Sequence, residues 1–429
     1  MNFLLVYAAV LILVLVLYMR RGRRAQHNAA RALEQSIEAG LAEPASMHPV
    51  IDPTRCIGSA SCVRACPEDA LGVVNGKAVL KNASACIGHG ACLSACPVEA
   101  ISLVFGTEKR GVDVPNLSPE FETNVPGIYI AGELGGMGLI RKAAEQGRQA
   151  MEAIRQRADG SYDLDVLIVG SGPAGLSAGL AAIQHKLRYR IVEQEDSLGG
   201  AIYHYPRNKI TMTAPVQLPL IGKVKFGDVS KEKLLEFWAG VVQKCGLQVG
   251  YRERLSGIER QDKGFVVQTD RARYSARSVL LAMGRRGTPR KLGVPGEEHS
   301  KVVYRLIDPH QYQGMKVLVV GGGDSALEAA IAVAEQPGTE VALSYRSAAF
   351  VRVKAKNRVR VEALRQAGAL AVMMNSTVQA IEAHSVRVEQ EGTSQTLPNE
   401  AVLVCTGGDL PTPLLRKVGI DFETKFGTR

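Results

Sequence analysis

The sequence predicts an α/β chain with two units built on parallel sheets. A small α+β unit precedes them, and an apolar helix opens the chain. Three observations carry this. A strand, a glycine loop, a helix and a second strand follow one another at 165–194 and again at 316–347. Residues 51–105 repeat with a period of 30, and each half holds three cysteines. The stretch Phe3–Met19 has no charged residue. With 429 residues, 46% hydrophobic and 22% charged, the chain can bury two or three cores.

The N-terminal run FLLVYAAVLILVLVLYM is 17 residues long. As a helix it spans about 26 Å, near the lower limit for a bilayer crossing. RRGRR (20–24) follows it. A secretory signal places its positive charge before the apolar run and a small-residue cleavage site after it. Here the order is reversed, which fits the positive-inside rule. The expectation is a single-pass anchor over 1–24 in the inner membrane, with the catalytic domains in the cytoplasm. Residues 25–50 read as a helical stalk and linker, closed by Pro44 and Pro49.

The repeat at 51–105 contains CIGSASCVRACP (56–67) and CIGHGACLSACP (86–97). Each half continues into a short apolar strand, LGVV or ISLV. Six thiols in two spaced sets indicate metal in a reducing compartment rather than a disulfide scaffold. Thiolates are soft ligands that suit iron–sulfur clusters. The spacing differs from that of paired C-x2-C zinc knuckles. A clusterless relic is the remaining alternative. Against it, the same position differs in both copies, as Ser59 and His89, while three cysteines and the proline stand in each.

DVLIVGSGPAGLSAGLAAI (165–183) places Gly170, Gly172 and Gly175 between a strand and a helix, and Glu193 ends the next strand. Such glycines let a pyrophosphate approach the backbone and the helix N-terminus, and the acid accepts ribose hydrogen bonds. KVLVVGGGDSALEAAIAVAE (316–335) repeats the arrangement with Gly321, Gly323, Ser325 and Ala326. Its second strand leads to Ser344, Tyr345 and Arg346 in place of an acid. An arginine there pairs with a 2′-phosphate, so NADPH is expected over NADH. Between the two units lie a helix at 230–246 and strands at 265–269 and 278–284, the last ending in an AMG turn at Gly284. A net charge of +10 raises the question of nucleic acid. Aromatic content of 5% and the lack of any nucleic-acid motif exclude it.

The cysteine loops resemble those of two-cluster ferredoxins, C-x2-C-x2-C-x3-C-P, with the second cysteine replaced. In that family three ligands of one loop pair with the last of the other. The resemblance implies one cluster on Cys56, Cys62 and Cys96, with Ser59 at the variant position. It implies a second on Cys86, Cys92 and Cys66, with His89 there. Either a [3Fe–4S] or a [4Fe–4S] cluster fits three thiolates, the fourth iron of the latter taking Ser, His, water or a partner's ligand.

Residues 125–429 resemble two-dinucleotide-fold flavoprotein reductases, namely thioredoxin reductases and the bacillithiol-disulfide-reductase-like group. The matching stretches are GSGPAG, EQEDSLGG with Gly199 and Gly200, YPR (205–207) and GGGDSALEA. The resemblance implies FAD in the first Rossmann-like unit and NADPH in the second. Two departures stand out. No C-x-x-C occurs in the second unit. Cys245 and Cys405 stand alone in apolar contexts that suit buried structural thiols. In addition, TNVPGIYIAGELGGMGLIRKAAEQGRQA (123–150), which resembles the family's closing segment, precedes the first unit.

That order implies a circular permutation, tolerable because domain termini often lie close together. Gly132 and Glu133 then hold the flavin's ribityl chain. A homodimer in which this segment completes a neighbour's FAD site remains open. The expected domains are 51–105 (ferredoxin-like), 106–158 (permuted segment), 159–290 (FAD), 291–410 (NAD(P)H) and 411–429 (return to the FAD domain). No side chain stands out as a catalytic acid, base or nucleophile, and hydride transfer requires none. The expected function is an NAD(P)H-dependent FAD and iron–sulfur oxidoreductase with an unknown electron donor or acceptor. A disulfide or quinone reductase working straight from FAD, and an iron–sulfur redox sensor, are the alternatives.

Overall fold

The computed structural model describes the chain except residues 1, 39–41, 45–46, 109, 137, 158–161, 206–209, 213–214, 226, 263, 286, 351–352 and 428–429. Pro206 and Arg207 of the YPR stretch, and the domain boundary drawn at 158–159, lie outside the described residues. The chain divides into two compact units. One is Met1–Val112 with Ala349–Val359 and Lys425–Arg429. The other is Asp113–Ala348 with Arg360–Thr424.

In the first unit one helix, Asn2–Glu38, runs through the boundary expected at residue 24. Its second half seats on the cysteine domain. Ala29 is buried there, and a methyl built on Gly72 would meet the Ala29 Cβ at 2.7 Å. Strand His48–Ile51 pairs antiparallel with Ile101–Val104, and Leu71–Val74 pairs with Lys77–Leu80. The latter hairpin turns at Asn75 and Gly76, both at positive φ, which matches the right-handed twist of the strands. Each cysteine loop leads into a short helix, Ser61–Ala65 or Ala91–Ser94. Cys56, Cys62 and Cys92 share the core with Leu71, Ala78, Ala100 and Ile101.

The anchor expectation is corrected. Among the described residues no helix is long and apolar enough to cross a membrane. The uncharged run of this helix ends at Met19. Beyond it the helix carries Arg20, Arg21, Arg23 and Arg24 and stays polar to its end. The transmembrane element of the fold class, the inner-membrane placement and the membrane as partner fall with it.

The second unit contains two parallel sheets. In the first, the order runs Val249–Gly250, Tyr189–Val192, Leu164–Val169, Arg273–Leu281, Phe265–Thr269, Leu255–Arg260. The last two strands are antiparallel additions. Strand Ile128–Ile130 pairs parallel with Arg273–Leu281, matching Ile128 to Val279 and Ile130 to Leu281. Helix Ile140–Arg155 lies against Pro173–Gln184 at a distance only a glycine allows. A Cβ on Gly147 would stand 2.0 Å from the Ala174 carbonyl oxygen. Strand Ile128–Ile130 and helix Ile140–Arg155 therefore join the first sheet of this chain.

The chain's far end returns to the same place. Asn124 donates to the Gly419 carbonyl at 2.8 Å and accepts from the Asp421 N–H at 2.9 Å. Helix Lys231–Cys245 starts at Ser230, whose Oγ accepts from the Lys233 N–H. It ends at Gly246, whose φ of 65° suits glycine, and it buries Trp238. The second sheet runs Val302–Val303, Ala401–Val404, Lys316–Val320, Glu340–Ser344, Leu370–Met373. A three-stranded meander, residues 376–398, adjoins it.

Candidate functional site

The first glycine loop sits where strand Leu164–Val169 ends and helix Pro173–Gln184 begins. Parallel sheets place their ligands at such carboxyl ends. Gly170 has φ 107°, and a Cβ there would lie 2.5 Å from the Ala282 carbonyl oxygen. A Cβ on Gly175 would lie 1.9 Å from the Gly170 carbonyl oxygen. These two glycines close the turn. Gly172 differs: a Cβ there would find nothing nearer than the Gly200 Cα at 3.9 Å. That opening, at the helix N-terminus, is a cradle a pyrophosphate fits.

Glu193 is buried at the end of its strand. One carboxylate oxygen accepts from the Ser171 N–H at 2.7 Å and the Ser171 hydroxyl at 2.9 Å. The other accepts from the Glu195 N–H at 3.0 Å. An ionised carboxylate has about four acceptor positions, so ribose hydroxyls still find a partner. Gly200 folds over the loop, its would-be Cβ 3.1 Å from the Gly172 Cα, and Gly199 packs on Leu235. From the other side, Gly132 donates its N–H to Gln146 Oε1 at 2.9 Å and faces Ala174. The Glu133 carboxylate stands 3.9 Å from a Cβ built on Gly284. The structure thus draws Gly132, Glu133, Gly170, Gly172, Gly175, Glu193, Gly199, Gly200 and Gly284 to one place. Ser171 and Gln146, which hold Glu193 and Gly132, were not singled out from sequence. Their only signal was position, one inside the loop and one on the helix face opposite it.

At the second loop, Gly321 has φ 141°, with the Cys405 carbonyl oxygen 2.4 Å from its would-be Cβ. Ala326 fills the place of a third glycine, its Cβ 3.1 Å from that same position. Around Gly323, at the N-terminus of Asp324–Ala334, there is nothing within 4 Å. This is again an opening for phosphates. Ser325 and Arg346 are exposed beside it. Tyr345, which the sequence marked only as standing where an acid would, has its ring over Gly322 closely enough that any side chain there would collide with it.

The six thiols of the first unit fall into the two expected triads. Burial pushes the Cys62 thiol up, and neighbouring Cys56 and Cys96 add to this against opposing backbone N–H groups. Burial also raises Cys86, with Cys66 beside it. Burial raises Cys92 to about 11, with Cys86 and Cys66 as neighbours. The Ala78 N–H donates to Cys56 Sγ at 3.4 Å and the Ala100 N–H to Cys96 Sγ at 3.2 Å. Such bonds stabilise negative charge on sulfur and tune a cluster's potential.

Among the described residues no group of three or more His, Cys, Asp or Glu could hold a single metal ion. A cluster has a different requirement, because each thiolate binds its own iron. The two all-sulfur triads suit that chemistry. The second triad lines a pocket with Leu71, Leu80, Leu103 and His89. Ser59 is exposed, its hydroxyl donating to Ser61 Oγ at 3.3 Å.

No disulfide joins the eight described cysteines. Cys245 ends the helix Lys231–Cys245, and Cys405 follows strand Ala401–Val404 in the other sheet. Burial pushes Cys405 up to about 11, which keeps it a protonated, poor nucleophile at neutral pH. The flavoprotein unit has no dithiol.

Comparison with known proteins matches residues 167–427 to the pyridine nucleotide-disulphide oxidoreductase family and residues 48–97 to a 4Fe-4S dicluster domain. A ferredoxin–NADP reductase of Ignicoccus hospitalis is 27% identical over 61% of this chain and 83% of its own. Bacilliredoxin reductase Bdr of Bacillus subtilis is 26% identical over 61% and 82%. Among solved structures, bacillithiol disulfide reductase Bdr of Staphylococcus aureus superposes with a TM-score of 0.51 at 25% identity, covering 60% of this chain and 80% of that one. The family match spans more than half of the chain, and both cradles and both thiol triads are in place. The protein belongs to the pyridine nucleotide-disulphide oxidoreductase family, as an NAD(P)H- and FAD-dependent oxidoreductase that carries a 4Fe–4S dicluster domain on the same chain.

Proposed function

We propose that this oxidoreductase passes electrons between NADPH and a one-electron partner through FAD and its own two clusters. The carrying observation is a pairing. The flavoprotein unit has no dithiol, while six thiols in two triads stand on the same chain. A ferredoxin–NADP reductase, by its name, works with ferredoxin. Here the ferredoxin-type domain is already attached. FAD, when bound, accepts a hydride as an electron pair and can release electrons one at a time.

The protein's own residues bind and orient. Gly172 opens the helix N-terminus to the FAD pyrophosphate, and Glu193 accepts from the adenosine ribose. Gly199, Gly200 and Gly284 bring backbone close, and Glu133 accepts from the ribityl hydroxyls. Gly323 and Ser325 offer the second helix N-terminus to the nicotinamide nucleotide. Arg346 pairs with its 2′-phosphate and so favours NADPH over NADH. Segment 106–158 is read as the FAD domain's closing portion moved to its front by circular permutation. Its pairing with the first sheet supports that reading.

Anaerobic titration with NADPH tests the proposal. The flavin band bleaches and the cluster EPR signals change with added equivalents. A bleached flavin beside clusters that stay oxidised would refute it. The similarity to a bacillithiol disulfide reductase favours one second reading, a small-molecule disulfide reductase acting straight from FAD. Steady turnover with such a disulfide by a protein stripped of its clusters would establish it.

A further inference from the structure

The two cysteine loops are near copies in sequence but not in their surroundings at the variant position. In the first loop the Ser59 hydroxyl is taken up by a hydrogen bond. Ser59 is exposed, and its hydroxyl donates to Ser61 Oγ at 3.3 Å. Ser61 Oγ in turn accepts from the Arg64 guanidinium at 3.2 Å. A serine binds iron as an alkoxide, and this hydroxyl instead keeps its proton in a hydrogen bond at the helix start. The tight fit of Gly58, whose would-be Cβ lies 2.1 Å from the Gly76 carbonyl oxygen, holds the loop in this course.

The second loop is different. His89 is one of the residues lining the cavity walled by Cys66, Cys86 and Cys92. His89 is exposed, as Ser59 is, but among the described residues its ring has no hydrogen-bond partner and no ion pair, and Gly88 and Gly90 on either side of it line the same cavity. Three thiols and one uncommitted imidazole around a single space form a complete ligand set for a four-iron cluster. At the first triad the corresponding side chain, Ser59, is bonded to Ser61 instead.

We infer that the two clusters are unequal. His89 is the fourth ligand of the cluster on Cys66, Cys86 and Cys92. The cluster on Cys56, Cys62 and Cys96 has no fourth protein ligand and keeps one coordination position open to a small exogenous donor such as a free thiolate. A neutral imidazole in place of a thiolate makes its cluster one negative charge lighter, and lower negative charge raises a cluster's potential. With a thiolate in the open position of the other cluster, the His89 site is the easier to reduce. This rests on the proposed presence of both clusters.

Two measurements test it on the full chain. Pulsed EPR of reduced wild-type protein grown with ¹⁵N-histidine needs no variant. The inference expects a histidine nitrogen coupled to one cluster, lost in His89→Ala. No coupling in a sample whose iron and acid-labile sulfide match two clusters would overturn it while leaving the electron-transfer reading intact. A sample without iron or sulfide would sink both.

The second measurement uses the first loop. Protein isolated in air is expected to show the EPR signal of an oxidised [3Fe–4S] cluster, because dioxygen oxidises the first cluster and the iron that no side chain holds is lost as a free ion. Ser59→Cys removes that signal and adds one iron per chain, whereas Ser59→Ala leaves it unchanged. A three-iron signal that persists in Ser59→Cys, or disappears in Ser59→Ala, overturns the assignment of the open site.

Discussion

Replacing Gly147 by alanine separates a helix's intrinsic preference from its packing. In an exposed helix interior, glycine to alanine stabilises by up to about 1 kcal/mol. In helix Ile140–Arg155 the new Cβ would stand 2.0 Å from the Ala174 carbonyl oxygen, 2.8 Å from its carbon and 3.1 Å from its Cα. These are backbone atoms, so no rotamer change relieves the contact, and the two helices must separate by roughly an ångström. Overpacking of this kind costs about 1–3 kcal/mol. With the collision against backbone the upper end applies, and the net loss after the helical gain is about 2 kcal/mol.

The same shift moves Ala174, between Gly172 and Gly175, so FAD affinity should fall by about tenfold or more, since 1.4 kcal/mol is a factor of ten. Urea unfolding and FAD retention on dialysis measure both effects. Gly240→Ala is the control, in helix Lys231–Cys245 with nothing within 4 Å of its would-be Cβ, and it should stabilise. Gly147→Ala behaving like Gly240→Ala would refute the claim that segment 123–155 forms part of the FAD cradle.

Other outcomes follow from the same geometry. Arg346→Gln should weaken 2′,5′-ADP binding about tenfold or more, the loss of a charged hydrogen bond, and leave 5′-AMP binding unchanged in calorimetry. Equal losses for both ligands would remove Arg346 from 2′-phosphate recognition. Paired cysteine losses test the crossing of the triads. Cys56→Ala with Cys96→Ala should leave one cluster by EPR, whereas Cys56→Ala with Cys66→Ala should damage both. Cys405, with a thiol raised to about 11, becomes thiolate only as pH climbs towards that value. At pH 8 its carboxymethylation should be roughly a hundredfold slower than that of an ordinary thiol, accelerating up to about pH 11. Rapid labelling at pH 8 would contradict its burial.

Much of the site was legible because glycine loops and cysteine spacings are local signals. Gly170, Gly172 and Gly175 announce a turn between a strand and a helix, and the structure puts it there. The displaced segment was legible for another reason: Gly132 and Glu133 sit in a long stretch whose order of strand, turn and helix is distinctive. What it pairs with is a long-range matter. Only the structure shows Ile128–Ile130 beside Val279–Leu281 in the same chain.

Long-range contacts also hid the roles of Gln146, Ser171 and Tyr345, because the groups they touch lie many residues away. The apolar N-terminus misled for the opposite reason. Hydropathy over Phe3–Met19 is a strong local signal, but the helix that contains it continues to Glu38 as a polar rod whose Ala29 face is buried on the cysteine domain. Ser59 and His89, equivalent by repeat, part company only through Ser61, Arg64 and the cavity at the second triad.

The central claim is that electrons travel within one chain, from nicotinamide through flavin to the attached clusters. Anaerobic stopped-flow mixing with NADPH, paired with rapid-freeze EPR, tests it directly. Flavin bleaching should be followed by cluster reduction with a first-order rate constant that does not change over a tenfold dilution of the protein. A cluster-reduction rate that falls in proportion to protein concentration, or clusters that stay oxidised while the flavin is reduced, would contradict it.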